Sequence, residues 1–397
     1  MNTTLFKQFQ DFRTSLNQSF LEREVIIDGL LASLLTRQNA FLFGPPGSGK
    51  SELVRAVSSG FMGTKFFGYL LSPTTDPSEL FGPVAVSKLL KDEYTRDIKG
   101  YLPDSNIAFL DELFRGSSAV LNSLLTILNE RSFNNGKDIV RTPIHSIVAA
   151  TNSFPQEESL QAFCDRFLFR PTVNLLKKPS SKVRLYNWTV GEGERRPTVS
   201  SRLTLDDLRD LQDEADKVRV CDGFLDTFSG VIEMLDSRGI SISDRRAVQL
   251  LKFLKGWAVV QGEDMIYPDM LIDTIPHIVY QKPDDLIQIN EVLSQVIQTP
   301  EAFHKESKEA LVGVMREFST LNSVSRTDGD MAELNRMVAA MKRCLNDIIN
   351  IEDKVKKVLE SPGTRIKISS RTKLSSLLAH CEMDKQSVTK SINNICG

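Results

Sequence analysis

A chain of 397 residues, 41% apolar, 25% charged and with a formal net charge of −2, has the make-up of a globular protein of two or three domains with a large core. A net charge so close to zero excludes whole-molecule attraction to nucleic acid or to an anionic membrane surface. No apolar run reaches the length of a membrane span, the first residues hold no signal-peptide region, and five scattered cysteines without Cys-x-x-Cys spacing point to reduced thiols in a cytoplasm.

In chain order, Leu5, Phe9, Phe12, Leu16 and Phe20 recur at intervals of three and four, so residues 5–21 present one apolar helix face. Val25 to Leu35 continues as a second apolar helical segment, either plain core or a surface against a nucleotide's base. Ala40-Phe41-Leu42-Phe43 has the continuous apolarity of a buried parallel strand. It runs into Gly44-Pro45-Pro46-Gly47-Ser48-Gly49-Lys50-Ser51, which fits the phosphate-loop pattern at every fixed position. Glycines there let backbone N–H groups turn inward around a phosphate, and the helix opening at Ser51 and Glu52 adds its dipole. Gly44 to Glu52 is thus the candidate nucleotide-binding segment, with Lys50 placed for the β- and γ-phosphates of ATP and Ser51 for Mg2+.

Thr64 to Leu71 reads as the next strand. Residues 72–104 form an insert in which Asp76, Pro77 and Glu79 signal a helix start, 84–100 suit a hairpin or a short helix, and Gly100-Tyr101-Leu102-Pro103 closes the segment. Ile107-Ala108-Phe109-Leu110 gives a buried strand ending in Asp111 and Glu112, at the carboxyl end where open α/β sheets bind ligands. In this Walker B arrangement Asp111 serves Mg2+ and Glu112 the attacking water. Val120, Leu121, Leu124, Leu125 and Leu128 mark one face of a helix over 117–130, and Asn135-Gly136 predicts a hairpin over about 131–145. Ser146 to Thr151 is another buried strand, and Asn152 at its end either positions a water or serves as a cap.

Taken together, the phosphate loop, Leu110-Asp111-Glu112, Ala149-Ala150-Thr151-Asn152 and Asp165-Arg166-Phe167 resemble the AAA+ ATPases. Thr75 to Gly82 and Gly100 to Pro103 are similar to the MoxR branch, most of all to its RavA-type members. The resemblance covers about residues 5–285. It implies an α/β core with a parallel sheet over residues 1–175, an all-helical lid over 204–285, and ATP with Mg2+ as ligands. It further implies Asn152 as sensor 1 and Arg166 as the finger that reaches the γ-phosphate of a neighbouring subunit. Arg245, in Ser243-Asp244-Arg245, matches sensor 2, with Arg246 the competing candidate. A hexameric ring is implied by the same resemblance, as is chaperone-like work on a partner with a von Willebrand factor A domain.

Lys177-Lys178-Pro179 and Gly191 to Pro197 read as an exposed linker over 176–203. Thr204 and Ser243 stand where lid helices are capped. Residues 286–397 form a helical extension, in which Leu334, Met337, Met341, Leu345, Ile348, Ile351, Val355 and Val358 define one long amphipathic helix. From Lys354 to Lys373 seven basic residues stand against one acid, Glu360; this stretch alone supports the alternative of a nucleic-acid-stimulated motor or loader.

Overall fold

The apolar runs that read as buried strands pair side by side. A computed structural model describes residues 3–152, 163–201, 203–279, 285–297, 300–323, 331–360 and 368–396. As far as Thr204 its strands are β1 (Ala40–Phe43), β2 (Phe61–Met62), β3 (Phe66–Leu70), β4 (Ile107–Asp111), β5 (Ser132–Asn135), β6 (Asp138–Arg141), β7 (Ser146–Thr151) and β8 (Leu203–Thr204), and two short ones follow at Arg219–Val220 and Met265–Ile266. The main sheet has the order β1-β7-β4-β3, and every pair in it is parallel. β1 and β7 are buried at each position, as expected of strands covered on both faces. Residues 169–172 lie along the free side of β1: Phe41 N–H donates to the Phe169 carbonyl at 2.8 Å and Phe43 N–H to that of Pro171 at 3.1 Å. β5 and β6 pair antiparallel as the hairpin expected over 131–145.

The helices that flank this sheet are set by short-range signals. α1 (Thr3–Ser19) buries Leu5, Phe9, Phe12 and Leu16 as its periodicity requires. α2 (Glu24–Leu35) is buried from Ile26 to Leu35, so it is core. Its one acid in that span, Asp28, is satisfied by Arg13 at 2.6 and 2.7 Å and by Gln261 at 2.8 Å. α3 (Lys50–Ser59) comes directly after the phosphate-loop glycines. α4 (Pro77–Phe81) starts with a capping box between Asp76 and Glu79 and with proline in its first turn. α5 (Val86–Leu89) is the short helix of the insert, and α6 (Ser118–Glu130) buries Val120, Leu121, Leu124, Ile127 and Leu128.

The expected linker differs. Residues 179–190 form a helix, α7 (Pro179–Val190), with proline at its start and left-handed Gly191 at its C-cap. It buries none of its residues, so no apolar period betrays it in the sequence. It is fixed at its base instead: the Glu22 carboxylate accepts the N–H groups of Lys177 and Lys178 at 2.8 and 2.9 Å, and these bonds draw its pKa down to about 2.

Beyond β8 the described elements are almost wholly helical: α8 (Leu205–Lys217), α9 (Phe224–Ser237), α10 (Asp244–Gln261), α11 (Met270–Ile278), α12 (Asp285–Val296), α13 (Pro300–Ser323), α14 (Met331–Glu360) and α15 (Ile368–Cys396). Thr204 and Ser243 cap α8 and α10. The chain divides into two compact units. Met1–Val220, Val231–Ile266 and Met270–Asn290 form the first; Cys221–Gly230, Tyr267–Asp269 and Glu291–Gly397 form the second. In the second, α13, α14 and α15 close around Met341, Ile348, Val355, Leu374 and Cys381. The long amphipathic helix read from Leu334 to Val358 is α14. Buried Glu352 on α14 ties Lys356, at 2.5 Å, and Lys385 of α15, at 2.6 Å. Of the basic stretch 354–373, residues 361–367 lie outside the described residues, as does the loop expected at 327–330.

Two histidines in the first unit tie its stability to pH. Burial, with Arg37, Arg209 and Arg131 nearby, lowers His145 to about 4, and burial lowers His277 to about 4. Unfolded, both take a proton near pH 6.5. Between 6.5 and 4 the unfolded chain therefore binds more protons, and stability falls as pH falls, by up to about 3 kcal/mol for each histidine. Urea unfolding at pH 7, 6, 5 and 4 is expected to show the loss within that window, and His145→Gln to flatten it. A midpoint constant from pH 7 to 4 would refute the assignment.

Candidate nucleotide site

The carboxyl ends of three strands meet. Phe43 pairs with Thr151, and Leu110 with Ala149, so Gly44, Asp111 and Asn152 leave the sheet along one edge. Gly44 N–H donates to the Thr151 carbonyl at 3.2 Å, which fixes the start of the loop against β7. Gly47 and Gly49 have φ of +76° and +83°, values that favour glycine strongly. α3 then begins at Lys50, with its first N–H groups at the end of the loop.

Five of the expected residues come together here. Ser51 Oγ donates to Asp111 Oδ2 at 3.1 Å. Lys50 is 6% exposed, and its Nζ donates to the carbonyls of Gly44 at 2.6 Å and Pro45 at 3.0 Å and to Asn152 Oδ1 at 3.3 Å. Burial lowers its pKa, while Asp111 and Glu112 work in the opposite direction. Asn152 Nδ2 in turn donates to Glu112 Oε1, and Arg115 Nε lies 3.5 Å from Glu112 Oε2. Glu112 adopts φ of +52°, a left-handed conformation uncommon for a residue with a side chain. The turn aims its carboxylate at Asn152, beside the lysine and the Ser51–Asp111 pair. Ser51 and Asp111 present oxygen donors side by side, the hard ligands that suit Mg2+.

The other two expected residues lie apart from that cluster. Arg166 Nη1 donates to Asn129 Oδ1 at 3.0 Å, and among the described residues its Nε has no partner. Arg245 is exposed in the first turn of α10, and its side chain makes no hydrogen bond among the described residues. Arg246 points inward, 8% exposed: it reaches Asp165 Oδ1 at 3.1 Å, the Leu168 carbonyl at 3.3 Å and the Ile278 carbonyl. Burial beside Arg170 lowers its pKa to about 9. Adjacent helix residues face different ways, so Arg246 is buried while Arg245 is exposed.

Sequence reasoning missed the wall beside the loop. A cavity of about 440 Å³ opens between Gly47–Gly49 and an apolar side formed by Phe20, Leu21, Leu176, Leu185, Tyr186 and Trp188. The residues before α2, not α2 itself, line it. Arg23, 7% exposed, runs beneath, donating to the carbonyls of Ser48 at 3.3 Å and of Asn174. Arg196 spans the rim, 2.5 Å from Glu52 and over the Phe20 ring at 4.9 Å. Tyr186 and Trp188 in an otherwise polar stretch were the available signal; Arg23 had none, since its partners lie far off in sequence.

A parallel sheet with a phosphate-loop sequence after β1, an acid pair after β4 and a helical lid defines the AAA+ class of phosphate-loop fold. Comparison with known proteins narrows the class. Residues 7–213 match the family model described as the MoxR domain in the MoxR-vWA-beta-propeller ternary systems. An uncharacterized protein of Methanocaldococcus jannaschii is 34% identical over 79% of this chain and 82% of its own length. Protein MoxR of Paracoccus denitrificans is 28% identical over 45% of this chain and 53% of its own. In fold, a Cytophaga hutchinsonii structure described as a candidate ATPase superposes with a TM-score of 0.60 at 18% identity, covering 74% of this chain and 96% of that one. The chain belongs to the MoxR family of AAA+ ATPases. The RavA-type branch is not part of that description.

Proposed function

We propose that this chain hydrolyses Mg·ATP within a homomeric ring, hexameric by family resemblance, and uses the cycle to remodel a partner protein carrying a von Willebrand factor A domain. The observation that carries the proposal is the Ser51–Asp111 pair at 3.1 Å, set beside Lys50, Glu112 and Asn152 at one sheet edge. The partner class rests on the ternary systems for which the matching family model is described.

In this reading the N–H groups of the loop, Gly44 to Glu52, cradle the phosphates. Lys50 moves its charge from the Gly44 and Pro45 carbonyls onto them. Ser51 and Asp111 hold Mg2+, which neutralises charge on the phosphate oxygens. Glu112 orients and deprotonates the attacking water, and Asn152 holds the Glu112 carboxylate and that water in line. The base lies in the cavity against Phe20, Tyr186 and Trp188. Arg166 serves the neighbour's site, and Arg245 acts as sensor 2 from the lid of the same subunit. Among the described residues no helix is long and apolar enough to cross a membrane.

Lys50→Ala tests the site. Affinity for a fluorescent ATP analogue is expected to fall at least roughly 100-fold, because a desolvated charge aimed at phosphate is lost. Far-UV circular dichroism should stay unchanged. Near-native affinity in the folded variant would remove the loop from the mechanism.

A further inference from the structure

The second unit carries a surface that the nucleotide cycle does not use. α13 and α15 meet along a seam to which α14 contributes no lining residue, and the seam opens into a groove of about 800 Å³. Leu311 and Leu377, 5% and 4% exposed, form its floor from the bundle core. Val312, 43% exposed, and half-buried Met315 continue that apolar strip upward. On α13 the lining runs from His304 to Ser319, about 22 Å of helix. That is the length of a further helix of about 15 residues laid against two others, as the fourth member of a bundle would lie.

Charge decides what kind of helix fits. Lys308 and Arg316 rise from α13 and Lys373 from α15, and Asp384 is the one carboxylate in the lining. Among the described residues, none of the three cations has a carboxylate within ion-pair distance. The His304 imidazole, also in the lining, is held below its usual range by burial and then by the charges of Lys308 and Lys373. Burial raises the Asp384 carboxyl, while His380 works in the opposite direction.

We infer that this groove docks an acidic amphipathic helix of a partner protein, its apolar stripe on Leu311, Val312, Met315 and Leu377 and its carboxylates against Lys308, Arg316 and Lys373. Nucleic acid fits less well: the floor is apolar, and no Phe, Tyr or Trp lines it for a base to stack on. Helix-in-groove recognition uses this combination of apolar anchors and flanking charge.

The test uses the full chain and a displayed library of 15-residue helices. Leucine is fixed at spacings of three and four, and the flanking positions vary among Glu, Lys and Gln. Selected sequences are expected to carry Glu at the flanks. The best of them, as a labelled peptide, should bind less tightly as salt rises. It should lose at least about tenfold in affinity on the double reversal Lys308→Glu with Lys373→Glu. These lysines are exposed, so the double variant should melt as the native chain does; Val312→Glu serves as an independent second variant. Enrichment without charge bias, or binding that survives both variants, would overturn the inference. So would tight binding of a 20-nucleotide poly(dT) abolished by the same reversal, or a loss of mass in sedimentation on the reversal, which would hand the groove to a second copy.

Discussion

Arg166→Ala is expected to bind ATP normally and to hydrolyse it roughly 10³–10⁵ times more slowly, the range for loss of an arginine supplied across a subunit boundary. Asp165, the neighbour in sequence, is not its partner: that carboxylate is taken by Arg170 at 3.4 Å and Arg246 at 3.1 Å. The Arg166 side chain donates only to the neutral Asn129 amide among the described residues, a bond that gives up little when the guanidinium is drawn to a phosphate. Mixing Arg166→Ala with Lys50→Ala should restore part of the activity, because intact ATP sites on the first then meet intact fingers on the second. Mixed rings that form, shown by cross-linking, yet stay inactive would place Arg166 outside the neighbour's site.

Glu112→Gln is expected to separate binding from chemistry. Gln keeps the shape of Glu112 and an oxygen for the Asn152 amide, yet loses the basicity needed to activate water. Single-turnover hydrolysis should slow about 10²–10⁴-fold, while affinity for the ATP analogue changes little. Such a variant should also hold its partner through a long-lived ATP state, so capture with Glu112→Gln is the route to the client. Hydrolysis at the native rate would pass the role of base to another group.

What the sequence disclosed and what it hid divide by range. The capping box of Asp76 and Glu79 and the stripe Leu5, Phe9, Phe12, Leu16 are local patterns, and they appear where they were expected. The meeting of Lys50, Ser51, Asp111, Glu112 and Asn152 is not local. It was legible because parallel strands bring their carboxyl ends to one edge, and each of these residues comes after a continuous apolar run. α7 was hidden because a helix that buries nothing has no period; its Pro179 start and Gly191 stop were visible but sat among lysines and serines that read as loop. Nothing local separates Arg245 from Arg246; burial against Asp165 sets Arg246 apart and leaves Arg245 exposed.

The segment beside β1 closes the sheet on that side. The outward N–H of Arg170 is already engaged by the His277 carbonyl at 2.6 Å. A strand from another molecule approaching there finds that donor position shut, one of the ways a sheet margin is protected against edge-to-edge growth. Anything that meets this flank therefore finds the His277 carbonyl of α11 already in the place where an added strand would bond to Arg170.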